Sequence, residues 1–133
     1  MQVKRFGVSL EEDVLNNLDE LVKKNKFPNR SRAIRHLIKS TLVEDKIDNN
    51  KIVAGAVVIV YDHHKRELNN KLMNVQHDHH DLVLSTQHVH LEHDLCLETI
   101  ALKGKARDLL HLADRIIGTK GIKHGKLVMT DIE

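Results

Sequence analysis

The chain has no tryptophan, one tyrosine and two phenylalanines, so aromatic residues make up 2% of its 133 and cannot build its core. The core must come from Val, Leu, Ile and Ala, and an apolar content of 41% suits one ordinary domain or two small ones. A single cysteine, Cys96, excludes an intrachain disulfide. No apolar run approaches the roughly 20 residues that a bilayer-spanning helix needs, and no secretory leader pattern opens the chain. The expectation is a cytoplasmic protein with no membrane partner. Charge of one sign is also scarce, with a net of +2. It is unevenly spread, because residues 1–43 carry nine Lys or Arg against five Asp or Glu, whereas residues 51–133 carry eleven of each. Ten of the eleven histidines follow residue 51, so a basic part and a histidine-rich part occupy separate segments.

The histidines concentrate in Gln76–Glu98, QHDHHDLVLSTQHVHLEHDLCLE, which holds the only cysteine beside six imidazoles. His88 and His90 are two apart in a segment of alternating character, a strand that places both rings on one face. Leu91–Asp94 is polar enough to turn, and Leu95–Leu102 is apolar enough to return antiparallel, bringing Cys96 beside the pair. His77 precedes the strand by too many residues to share its tip within one subunit, so it either stands apart or meets a site in a neighbouring chain. Three imidazoles and a thiolate suit nickel, copper or zinc and do not suit magnesium or calcium. Four protein ligands would close the site, which points to sensing, storage or structure rather than catalysis. A lone strand histidine is usually solvated and a lone cysteine usually a small buried hydrophobe, but same-face spacing with a return strand is a joint coincidence. His79, His80 and His93 read as surface residues or as supports for ligands.

At the amino end, Arg5–Leu10 alternates apolar Phe6, Val8 and Leu10 with Arg5, Gly7 and Ser9, a short strand with one buried and one open face. Glu11 and Glu12 precede a helix with Val14, Leu15, Leu18, Leu21 and Val22 on one side, ended before Pro28. Ser31 is the expected N-cap of a second helix reaching about Val43. So small a unit cannot bury its own core, and a dimer whose strands pair antiparallel would present a two-stranded ribbon of major-groove width. Glu44–Lys51, EDKIDNNK, reads as a hinge.

Ile52–Tyr61 is a nearly continuous apolar run fit for a buried strand, and a helix from about His63 to Val75 carries Leu68, Leu72 and Val75 inward. After the two strands of the histidine stretch, Lys105–Gly118 is an amphipathic helix with Ala106, Leu109, Leu110, Ala113, Ile116 and Ile117 inward; Gly118 and Gly121 end it. Ile122–Thr130 closes as a strand. The resulting order, βαββαβ, is the ferredoxin-like arrangement, whose open sheet face invites a second subunit.

The strand RFGVSL and the Asn29-Arg30-Ser31 start of the second helix resemble the ribbon-helix-helix family. That resemblance implies base contacts from Arg5, Gly7 and Ser9, with Arg5 able to pair with guanine, and a backbone phosphate at Asn29, Arg30 and Ser31. Gly7 has no side chain to offer, so specificity would rest on Arg5, Ser9 and DNA shape. Joined to QHDHHDL, STQHVHLEHDLCLE, ALKG and GIKHG, the whole chain resembles the NikR family of nickel-responsive transcriptional regulators. The fold class implied is α+β: a dimeric ribbon-helix-helix domain over 1–46, a linker over 47–51 and a ferredoxin-like, ACT-type domain over 52–133. The resemblance further implies square-planar Ni(2+) bound by His88, His90 and Cys96 of one subunit and His77 of another. It implies a homotetramer, a dimer of dimers, that binds a palindromic double-stranded operator and represses nickel-uptake genes. Arg32 and His36 stand where some members have acidic residues, and Asp78 replaces a histidine common in that run. Two other classes compete: a metalloenzyme with Glu98 as general base, and a ribbon-helix-helix regulator sensing a small molecule.

Overall fold

The structure, a computed structural model, describes residues 2–133. The chain divides into two compact units between Leu42 and Val43.

In the first unit, helix α1 spans Glu12–Lys24, opened by acids and closed by Lys23 and Lys24, the arrangement the helix dipole favours. Helix α2 starts at Arg30. Its cap is Asn29 rather than Ser31, since the Asn29 side-chain oxygen accepts the Arg32 backbone N–H at 2.9 Å, the N-cap to third-residue bond. The expected strand over 5–10 is not formed within the chain: among the described residues this segment is neither helical nor paired. The physical reason is that a strand is defined by a neighbour, and the first unit supplies only helices. The alternation nonetheless holds, because Phe6, Val8 and Leu10 line an apolar groove with Val14, Leu18, Leu21, Ile34 and Leu37.

Helix α2 runs on to Asp48, through most of the expected hinge. Glu44–Asp48 lacks Gly and Pro and continues the helix. Asn50 then ends it in the left-handed region, φ 53°, with Lys51 N–H donating to the Lys46 carbonyl at 2.9 Å.

The second unit is a four-stranded antiparallel sheet, β1 Ile52–Asp62, β2 Val83–His90, β3 Leu95–Lys105 and β4 Ile122–Thr130, in the order β2-β3-β1-β4. Helices α3 (Arg66–Asp78) and α4 (Ala106–Ile117) pack into one core with Val53, Val57, Ile59, Tyr61, Cys96, Ile100 and Leu102. This is the expected βαββαβ order. Two details differ. Helix α3 begins three residues later and ends three residues later than the apolar pattern suggested, because Leu68, Leu72 and Val75 define its buried stripe but not its ends. On α4, Leu112 is buried and Leu110 exposed, since 109, 112, 113 and 116 form the stripe at helical spacing. Gly121, at φ 105°, makes the turn into β4 that a side chain would strain. The sheet face away from the helices carries Val58, Val89 and Val128, all exposed.

Candidate metal centre

Strand register decides which side chains meet. In the β2–β3 ladder His90 lies opposite Cys96 and His88 opposite Glu98, so all four share the helix-covered face. Because β2 is an edge strand, that face is open there: His88 is 54% exposed while Cys96 is buried. The His88 Nδ1 sits 3.8 Å from Cys96 Sγ, and its Nε2 is 3.1 Å from a Glu98 oxygen. The return strand inferred from the sequence therefore does bring the thiol to the histidines.

A cleft of about 720 Å³ is lined by His77, His88, His90, Cys96, Tyr61, His63, Gln76 and Glu98, among others. His77 belongs to this wall because α3 runs back across the sheet and ends at Asp78. His77 thus lines the same cleft without joining His88, His90 and Cys96 in one group. The four donors are not drawn together, and among the described residues no three His, Cys, Asp or Glu side chains converge tightly enough to hold an ion. The His90 ring leans on His63, centres 4.4 Å apart, and His63 in turn stacks on His64 at 4.1 Å. The His63 Nε2 is buried without a hydrogen-bond partner among the described residues, an imidazole nitrogen left free at the cleft. A thiol and several imidazoles in one cleft form a donor set of the borderline-soft kind that nickel accepts.

Sequence reasoning missed the supports. Tyr61 donates its hydroxyl to Glu98 at 2.8 Å, and Gln76 donates its amide to the other Glu98 oxygen at 2.7 Å. Burial first, and then the neighbouring Glu98, push the Tyr61 hydroxyl well above its ordinary range, so it remains a donor. The one available signal was a carboxylate at the centre of an otherwise apolar strand, Glu98 in LCLETIALKG.

At the amino end Arg5, Gly7 and Ser9 are all exposed, and nothing lies within 4 Å of a side chain built on Gly7. Arg30 forks both Asp19 oxygens at 2.8 and 2.9 Å, and both side chains are half exposed. That pair holds the Asp19 carboxyl below its usual range. Asn29 spends its side-chain oxygen on the cap, and Ser31 lies exposed in the first turn of α2.

Comparison with known proteins decides the class. Residues 54–130 match the NikR C-terminal nickel-binding domain, and residues 4–44 match the ribbon-helix-helix proteins of the copG family. The chain belongs to the nickel-responsive regulator family. A candidate nickel-responsive regulator of Desulfovibrio desulfuricans is 48% identical over 95% of this chain and 91% of that protein. One of Geobacter sulfurreducens is 50% identical over the same shares. An uncharacterised protein of Thermotoga maritima, 14% identical, shares the fold at a TM-score of 0.54 over 59% of this chain and 98% of its own. As a member of the family, this NikR-type chain is a DNA-binding transcription regulator with Ni(2+) as its ion, and the metalloenzyme alternative is set aside. No described helix is long and apolar enough to cross a membrane.

Proposed function

We propose that this regulator is a cytoplasmic repressor of nickel-uptake genes, a homotetramer whose paired amino-terminal segments read a palindromic operator when nickel is held by three imidazoles and a thiolate. The donors are His88, His90 and Cys96 of one subunit and His77 of another. The observation that carries the reading is the pairing of His90 with Cys96 across the ladder, with His88 two residues along and 3.8 Å from the thiol.

Arg5, Gly7 and Ser9 would face bases from a ribbon of two chains, with Phe6, Val8 and Leu10 turned to the helices. The remaining free N–H groups at the start of α2, around Ser31, would hold a phosphate. When bound, nickel supplies a cross-link that ties the end of α3 to the sheet edge. Regulation then follows from unequal affinity of the operator for the chain's arrangements with and without that tie.

Nickel titration of wild type and Cys96→Ala, followed by the thiolate-to-nickel absorption band, tests the donor set. One ion per chain with a band that vanishes in Cys96→Ala is expected; the same tight stoichiometry without Cys96 overturns it. Mixing His77→Ala with Cys96→Ala chains tests the bridge. A band restored on mixing means that the two donors come from different subunits, whereas no restoration places them in the same one.

A further inference from the structure

Met73 is a side chain of the cleft wall that neither the core nor the nickel reading uses. The buried stripe of α3 is Leu68, Leu72 and Val75, and Met73 falls outside it, 69% exposed. The cleft is lined instead by Asn69, Met73, Gln76 and His77, which follow one another at steps of three and four on one side of the helix. Met73 therefore stands one turn before His77, in a cleft that Cys96 also lines.

Two sulfurs in one cleft make a softer donor set than imidazoles alone supply. A thiolate with a thioether selects copper(I), which is content with few donors, whereas nickel(II) takes more donors in a stricter geometry. The smaller requirement suits a single chain. His88 Nδ1 already lies 3.8 Å from Cys96 Sγ, while no larger group of His, Cys, Asp or Glu converges among the described residues. Methionine is unbranched and adapts to irregular gaps, and the exposure of Met73 leaves its side chain free to turn toward the thiol.

We propose that the cleft of one chain is also a copper(I) site, its donors the Cys96 thiolate, the Met73 thioether and the His88 imidazole. The site shares Cys96 and His88 with the nickel set proposed above and needs no donor from a second subunit. An ion held this way occupies the thiolate without tying one chain to another, so copper(I) blocks the nickel response instead of mimicking it. That last effect rests on the nickel reading; the copper(I) site itself does not.

The experiment titrates metal-free protein with copper(I), anaerobically and against a chromogenic copper(I) chelator, for wild type, Met73→Leu and Cys96→Ala. Met73→Leu keeps bulk and helix propensity at an exposed position, so it removes the sulfur and little else. In protein carrying ¹³C-methyl methionine, silver(I) serves as a redox-inert ion of the same chemistry, and Met129, packed against the core, is the internal control. Expected are one copper(I) per chain, a Met73 methyl resonance that moves with silver(I) while that of Met129 stays, and affinity lower by roughly tenfold or more in both variants. The nickel absorption band of Met73→Leu should match wild type. A Met73 methyl unmoved at saturation, or copper(I) bound as tightly by Met73→Leu as by wild type, overturns the site. A nickel band weakened together with copper(I) affinity in Met73→Leu also overturns it, because Met73 would then shape the cleft for any ion. Should wild type show the Met73 shift and the copper(I) affinity but no thiolate-to-nickel band, the nickel donor set fails and the copper(I) site stands.

Discussion

Two arginines of the amino-terminal domain show how neighbours decide what one residue type does. Arg5 is exposed on a segment whose alternate residues turn to the helices, and is free to meet a guanine edge. Arg5→Ala should relax operator discrimination at one base pair by about 1–3 kcal/mol, measured by binding to single-base operator variants. Arg30 is forked with Asp19. Arg30→Ala should leave the salt dependence of DNA binding nearly unchanged and instead lower the unfolding midpoint slightly. The sign with pH follows from Asp19, whose carboxyl the guanidinium's hydrogen bond holds below the ordinary value of 3.8. Its contribution is present above that value and lost as pH falls through the lowered one, so wild type and variant should converge in acid. The proposed metal donors stand out in the sequence for a related reason. His88 and His90 at strand spacing, followed by a return strand, put three donors in register, whereas Glu98's partners lie 37 and 22 residues away and no local pattern announces them.

Among the elements, α2 shows where pattern reading stops. Glu44–Asp48 has no apolar period, and it is helical because Ile47 packs against the sheet domain's core and Asn50 ends the turn. Asn50 also accepts the Arg107 N–H at 2.9 Å, capping α4. Asn50→Ala should destabilise the domain by about 1–2 kcal/mol in urea unfolding, and Asn50→Gly should recover only the part due to the left-handed turn. The other brace is Lys46 with Asp131 at 2.6 Å and Glu133 at 3.2 Å. Lys46 is raised chiefly by its bond to Asp131, and Asp131 is lowered chiefly by its bond to Lys46. The pair therefore stabilises between the ordinary carboxylate and lysine values, 3.8 and 10.5, and fades beyond either end. Lys46→Met should lower the thermal midpoint at pH 7, with the difference shrinking below pH 3.8.

For the whole molecule, the open sheet face is the feature that a lone chain leaves unexplained. Val58 and Val128 are exposed at 37% and 59% on adjacent strands, a face that a second copy would cover. Val58→Asp should reduce the proposed tetramer to a dimer in sedimentation, since a charge would be buried at that contact while the proposed amino-terminal pairing is untouched. Nickel removal should lower the thermal midpoint as well, because an ion that binds only the folded state adds about 4 kcal/mol at a thousandfold excess over its dissociation constant.

The sequence by itself determined the class of each half. Apolar period distinguished strands from helices, βαββαβ order implied the sheet, and the His88, His90 and Cys96 spacing put the proposed donors on one face of a strand pair, because these signals are local and repeat with the geometry of one element. Only tertiary structure decided what depends on distant residues meeting. It extended α2, brought His77 to the cleft by way of α3, paired Arg30 with Asp19 and gave Glu98 donors from two elements, Tyr61 and Gln76. Hydrogen bonds and packing between elements carry no period along the chain, and they appear only when the chain is folded.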